Sequence, residues 1–100
     1  MTIKRNFIVI EGIVQGVGFR PFIYNLANSL DLKGYVNNNS EGVHIDVEGH
    51  KETINKFLQR IEQNPPPLAR IEKISVREET VLTIPFLKSK KVIQHRIRLP

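Results

Sequence analysis

Two stretches of helical periodicity, each apolar on one side only, place the strongest constraint on how this 100-residue chain folds. The first follows Pro21, and its apolar residues recur every three or four positions: Phe22, Ile23, Leu26, Ala27 and Leu30. The second follows Gly49 and carries Ile54, Phe57, Leu58 and Ile61. A helix with one apolar side must bury that side against another element, so both helices require a sheet to cover.

The helix boundaries are indicated by glycine and proline. Pro21 fits the first helical position, where its missing N–H costs nothing, and Gly34 predicts the end of the first helix soon after Leu32. The run Asn64–Pro67 predicts the end of the second helix, since consecutive prolines cannot continue it. Both predicted helices are therefore short, with room for strands between them.

Strand patterns fill the intervening segments. Residues 7–14 are apolar and β-branched, which predicts a buried strand ending at Gly16. Tyr35 and Val36 begin a predicted hairpin whose turn lies at residues 39–42. Its second strand alternates apolar with polar residues: Val43, Ile45 and Val47 with His44, Asp46 and Glu48. Such alternation is typical of a strand with one buried face.

A fourth strand is predicted from Ala69 to Arg77, with a bulge near Glu72 and Lys73, because the apolar phase shifts there. After a mixed connection over residues 80–91, a short last strand is predicted from alternating residues: Ile93, His95, Ile97 and Leu99. The order is β-α-β-β-α-β with one added strand, and both helices cover one face of an antiparallel sheet. The sequence thus predicts a ferredoxin-like α+β sandwich, as one domain over residues 1–100.

Composition excludes several kinds of chemistry. The chain has no cysteine, so disulfides, thiolate catalysis and cysteine metal sites are excluded. The spacing of His44, His50 and His95 resembles no ligand pattern, and we expect neither a metal nor a cofactor. No apolar run is long enough to span a bilayer and no signal peptide is recognisable, so a cytoplasmic location without membrane contact is expected. The net charge of +5 points to an anionic ligand.

The segment Gln15-Gly16-Val17-Gly18-Phe19-Arg20-Pro21 connects the first strand to the first helix. Two glycines can take positive φ, which lets consecutive N–H groups point at one place and form an anion site. The helix adds the positive end of its dipole, and the planar guanidinium of Arg20 matches two phosphate oxygens. The segment predicts a site for a phosphate dianion. The alternative is a tight turn with Arg20 facing water, since neither the dinucleotide-binding nor the P-loop pattern is met.

Two separated motifs resemble those of the acylphosphatases. Val14 to Arg20 is similar to the first signature of that family, and Gly-Tyr-Val-Asn-Asn-Asn-Ser-Glu-Gly, residues 34–42, is similar to the second. The resemblance implies that Arg20 and Asn38 are catalytic and that residues 15–20 bind phosphate. Strand alternation sends Asn38 to one face and Asn37 and Asn39 to the other. Only one face can be directed to the site, so we interpret Asn37 and Asn39 as turn-forming residues instead of site residues.

Two further stretches of the sequence resemble one particular group of acylphosphatase-like domains. Pro21-Phe22 and the run from Pro66 to Ile74 look like the N-terminal domain of the hydrogenase-maturation carbamoyltransferases, the HypF family. This implies hydrolysis of an acyl phosphate, with carbamoyl phosphate as the substrate in that context and no covalent intermediate. Expected partners are the acyl phosphate, inorganic phosphate and the remainder of a carbamoyltransferase polypeptide, with this chain a monomer.

Two other functions fit the same fold. A nucleic-acid-binding module shares the βαββαβ order and the positive charge, but such modules stack bases on aromatic residues of the sheet. Here the strand over residues 43–48 has no aromatic residue and two acidic ones, so no nucleic-acid partner is expected. A catalytically silent domain that docks onto or gates a larger carbamoyltransferase is the second alternative.

Overall fold

The computed structural model describes residues 2–81, which form four strands and two helices. The elements are β1 (Ile3–Ile13), α1 (Phe19–Ser29), β2 (Lys33–Asn39), β3 (Gly42–His50), α2 (Lys51–Gln63) and β4 (Arg70–Glu79). The strands form one sheet in the order β2-β3-β1-β4, and every neighbouring pair is antiparallel. This is the predicted ferredoxin-like arrangement. The predicted last strand, over residues 93–99, lies outside the described residues.

One face of the sheet and the apolar sides of both helices form the core. The strands contribute Ile8, Ile10, Val36, Val43, Ile45 and Val47, and the helices contribute Phe19, Ile23, Ala27, Ile54, Phe57 and Ile61. The predicted apolar sides of both helices do face the core. Ile23, Ala27, Ile54, Phe57 and Ile61 are buried there, whereas Phe22, Leu26, Leu30 and Leu58 are only partly buried and pack against it. Neither helix of residues 2–81 has the length and apolar character needed to cross a membrane.

The boundaries of α1 differ from the prediction at both ends. The helix begins at Phe19, so Pro21 is its third residue, still within the first turn where N–H groups have no intrahelical acceptor. The prediction that Gly34 ends this helix is wrong. The helix ends at Ser29, and Asp31 takes the left-handed conformation with φ 57°. Gly34 lies inside β2, where an added Cβ would lie 1.7 Å from the carbonyl oxygen of Asp46.

The predicted irregularity in the last described strand is confirmed. Lys73 pairs with Glu11 of β1, whereas Ile71 pairs with the next residue, Gly12, so that Glu72 is the extra residue of a bulge. β4 also extends two residues beyond the predicted end, to Glu79. The bulge keeps Ile71 and Ile74 on the helix-facing side of the sheet, although they lie three positions apart.

On the other face of the sheet, a partly buried ion pair joins β1 to β3, and its arginine also contacts the residue that follows β4. The Arg5 guanidinium donates to both carboxylate oxygens of Asp46, at 2.9 and 2.7 Å, and to the carbonyl oxygen of Thr80, at 3.0 Å. The hydrogen bonds that Arg5 donates to Asp46 raise the pKa of Arg5 above its ordinary value. The Asp46 side chain is 9% exposed, so its charge depends on Arg5 for compensation.

We expect Asp46→Asn to lower the free energy of unfolding by about 2–4 kcal/mol, because Arg5 would keep a partly buried charge without its counter-charge. Urea denaturation measures this. The matched control is Glu78→Gln, which breaks the exposed pair between Lys4 and Glu78 and should cost less than about 1 kcal/mol. Equal losses in the two variants would contradict this assignment.

Candidate functional site

The site lies at the edge of the sheet where β1 and β2 both end. These two strands run in the same direction because each is antiparallel to β3, which lies between them. Val43 of β3 pairs with Ile10 on one side and with Asn38 on the other. The segment that leaves β1 therefore passes close to the end of β2 before it enters α1. We call residues 14–18, the β1–α1 connection, the phosphate loop.

The phosphate loop has the alternating backbone that an anion site requires. Gly16 and Gly18 have φ 72° and 79°, and Val17 between them does not share that positive φ. Consecutive residues of opposite hand aim their N–H groups at a common point. A Cβ added at Gly16 or Gly18 would have no atom within 4 Å, so the loop borders open space. Buried Val14 and Phe19 hold the two ends of the loop in the core.

The backbone N–H donors of this segment are unused within the described part of the chain. No residue among 2–81 accepts a hydrogen bond from the backbone N–H groups of residues 15–20. Gly18 is the N-cap of α1 and supplies no side-chain acceptor, and the first helical turn contains no acidic residue. Pro21 removes the one further N–H that would have lacked a partner. The positive end of the helix and the N–H groups are therefore both available to an anion.

Arg20 adds a full charge beside these donors. It is the second residue of α1 and is half-buried. Its guanidinium forms no ion pair and no hydrogen bond with any of residues 2–81, in contrast to Arg5 and Arg77, which both bind carboxylates. A guanidinium without a carboxylate partner retains its five donors for a ligand.

The structure separates the three consecutive asparagines. Asn38 lies on the helix-facing side of β2, whereas Asn37 and Asn39 lie on the other side, as the alternation predicts. Asn39 has a structural role: its Oδ1 accepts from the N–H of Glu41 at 2.8 Å, and its Nδ2 lies 2.9 Å from Nε2 of His44. Asn37 is exposed.

Asn38 differs from its neighbours because its amide oxygen is buried without a partner. Oδ1 of Asn38 is the buried side-chain polar atom for which residues 2–81 provide no hydrogen bond. Leaving such an acceptor unpaired costs about 1–3 kcal/mol. A polar group kept at that cost near a loop whose N–H donors lack acceptors within residues 2–81 has the features of a functional residue.

The sequence reasoning missed one contact of the loop. It assigned Gln15 to phosphate binding through the backbone alone, but the Gln15 side chain donates from Nε2 to the carbonyl oxygen of Asn39, at 2.6 Å. No sequence pattern pointed to this contact, because the acceptor is a backbone group 24 residues away.

Other features of residues 2–81 add no chemistry. An open groove of about 420 Å³ lies between the end of α2 and β4, lined by Glu62, Pro65 and Ile71–Ile74, and includes none of the predicted site residues. Within residues 2–81, no group of three or more His, Asp or Glu side chains is arranged to hold a metal ion.

Comparisons with known proteins agree with this geometry. The chain is 49% identical over 71 residues to the probable carbamoyltransferase HypF of Methanocaldococcus jannaschii. These 71 residues are 71% of this chain and 9% of that protein. It is 46% identical over 74 residues to the acylphosphatase of Thermotoga maritima. These 74 residues are 73% of this chain and 81% of that protein. Full-length HypF in its phosphate- and nucleotide-bound form matches with a TM-score of 0.79 and 51% identity over 81% of this chain and 11% of that one.

This chain thus spans about a tenth of the length of the HypF proteins that it matches. The family model for acylphosphatase matches residues 6–86, a range that contains the phosphate loop, Arg20 and Asn38. Because that range covers most of the chain, and the acylphosphatase relative is matched over most of its own length, this chain belongs to the acylphosphatase family.

Proposed function

We propose that this chain hydrolyses acyl phosphates to a carboxylate and inorganic phosphate, with Arg20 and Asn38 as the catalytic residues. The observation that carries the proposal is a set of donors without an acceptor among residues 2–81: the N–H groups of residues 15–20 and the guanidinium of Arg20. A dianionic phosphoryl group would accept from both. Membership of the acylphosphatase family supports the same reaction.

In the proposed reaction, water attacks phosphorus and the bond between phosphorus and the acyl oxygen breaks. The carboxylate leaves with the electron pair of that bond, and the phosphate oxygens take the proton that the water loses. Phosphoryl transfer of this kind depends chiefly on positioning and on stabilising charge over the equatorial oxygens. The donors of the phosphate loop would supply that stabilisation because they are already oriented.

Asn38 would act on the water. Its Oδ1 is an acceptor without a protein partner among the described residues, so it can take a hydrogen bond from water and turn a lone pair of that water towards phosphorus. The chain has no cysteine that could replace the water as nucleophile, and Ser40, which follows the three asparagines, lies in the exposed hairpin turn.

We propose carbamoyl phosphate as the substrate in a HypF context, because the chain is similar to proteins named as carbamoyltransferases. The carbamate would then pass to a second active site in the larger protein. The same similarity favours one other function, a domain that docks within a larger carbamoyltransferase without turning over on its own. Catalytic turnover by the isolated chain distinguishes the two.

The direct test is hydrolysis of acetyl, benzoyl and carbamoyl phosphate by the isolated chain. We expect release of phosphate from all three, because the proposed donors contact the phosphoryl group that they share. Inorganic phosphate should inhibit competitively, and EDTA should leave the rate unchanged. A rate no higher than the uncatalysed one for every substrate would instead support the docking function.

Replacing the guanidinium tests the phosphate site. Arg20→Ala should weaken inhibition by inorganic phosphate by about 10- to 100-fold, since a charge-assisted contact is worth about 1.5–3 kcal/mol, and should reduce kcat/KM as well. The phosphate affinity and kcat/KM of Arg20→Lys should lie between those of the parent and of Arg20→Ala, because an ammonium keeps the charge without the planar fork. Arg60→Ala, on the exposed surface of α2, is the control for general charge. Unchanged phosphate affinity in Arg20→Ala would refute the assignment.

Asn38→Ala should separate catalysis from binding. We expect kcat to fall by about 100-fold or more, while the inhibition constant for phosphate stays within about threefold. The free energy of unfolding should be equal or higher, because the variant removes a buried acceptor that has no partner among residues 2–81. The exposed neighbour provides the control, Asn37→Ala, which should retain the parent rate. Hydrolysis of benzoyl phosphate by Asn38→Ala at the parent rate would exclude the catalytic role.

A further inference from the structure

The proposed reaction depends on the distance between two separate segments of the chain. The phosphate loop would hold phosphorus, whereas the water would be held by Asn38, near the end of β2. Asn38 is placed by the pairing of β2 with β3, in which it lies opposite Val43. The loop lies outside the sheet, so the sheet alone does not set its position relative to Asn38.

One side-chain hydrogen bond connects the two segments within residues 2–81. It runs from Nε2 of Gln15 in the loop to the carbonyl oxygen of Asn39, the residue after Asn38, at 2.6 Å. The donor residue in the loop precedes Gly16, and the acceptor residue in the strand follows Asn38, so the bond lies next to proposed site residues in both segments. A change in this bond would move the phosphate donors relative to the water.

The strand end that receives this bond is itself held firmly. The Asn39 side chain accepts from the backbone N–H of Glu41, which closes the hairpin turn, and contacts the imidazole of His44 on β3. The His44 ring in turn packs edge-on against Phe7 of β1, with ring centroids 5.5 Å apart. Because Asn39 is anchored on the sheet in this way, its bond to Gln15 positions the loop rather than the strand.

We propose that the Gln15 carboxamide is a positioning group for acyl phosphate hydrolysis, which sets the bound phosphoryl group at attack distance from the water held by Asn38. This inference rests on the proposed function. The side chain acts through the loop, so its contribution is to the rate rather than to phosphate affinity. Misplacement of reacting atoms by about 1 Å costs up to about 100-fold in rate, whereas an exposed hydrogen bond adds little to stability.

The test replaces the donor while keeping the bulk of the side chain. Gln15→Leu should lower kcat by about 10- to 100-fold, with the inhibition constant for inorganic phosphate within about threefold of the parent. Gln59→Leu makes the same chemical change on the exposed surface of α2 and should leave all three quantities, kcat, the phosphate inhibition constant and the urea midpoint, unchanged. If Gln15→Leu does not fold, Gln15→Ser gives the same readouts with a smaller side chain.

The outcomes separate this inference from the proposed function. An active parent with a Gln15→Leu rate equal to that of Gln59→Leu overturns the positioning role and leaves acyl phosphate hydrolysis in place. A loss of phosphate affinity as large as the loss of kcat also overturns it, because the side chain would then bind phosphate directly. An inactive parent overturns the proposed function and this inference with it.

Discussion

The pairing of β3 with both β1 and β2 is the constraint on which the site depends. Since each of those strands is antiparallel to β3, their carboxyl ends meet at one edge of the sheet. The phosphate loop follows one of these ends and Asn38 lies beside the other. The hydrophobic core therefore brings together two segments that are about 20 residues apart in the chain, and no contact between the segments themselves is needed to align the strands.

The phosphate loop has two buried ends and, between them, N–H donors without an acceptor in the described part of the chain. Val14 and Phe19 are both 1% exposed, and their burial restrains the backbone on either side of the two glycines. Donors that are already oriented can stabilise developing charge without the cost of reorganisation, which is why such loops are effective in phosphoryl transfer. Arg20 supplies the full charge that backbone dipoles lack. Oδ1 of Asn38, buried and without a partner among residues 2–81, is the group that we propose to bind the water. Its burial without a protein partner carries a cost in stability.

The sequence predicted the element order, the buried positions and the bulge at Glu72, because hydrophobic periodicity reports directly which side chains face the core. It was less successful at boundaries. Gly34 was interpreted as a helix terminator because glycine often has that role, but the close approach of the Asp46 carbonyl oxygen, which requires glycine there, exists only in the folded sheet. Tertiary contacts of this kind leave no local pattern.

Some features of the site could also be predicted from the sequence, whereas others depend on the folded structure. The loop glycines and Arg20 could be recognised from their order along the chain. The resemblance of residues 34–42 to the second acylphosphatase signature pointed to Asn38 among three asparagines, and strand alternation placed it on a different face from the other two. The unpaired state of Oδ1 and the bond from Gln15 to Asn39 could not be predicted, since both depend on which backbone atoms the fold brings near. The roles of these residues in catalysis remain predictions.

The run of three asparagines has a consequence for folding fidelity. A hairpin that formed one residue out of register would still present an asparagine to the helix side, so polarity alone gives no protection against a misaligned site. Protection comes from Val36 and Gly34. The slip would expose the valine, at about 1.5–3 kcal/mol, and would bring a residue with a side chain against the Asp46 carbonyl oxygen, where a Cβ has only 1.7 Å. Core packing thus disfavours the slipped register and determines which of the three asparagines lies on the helix-facing side.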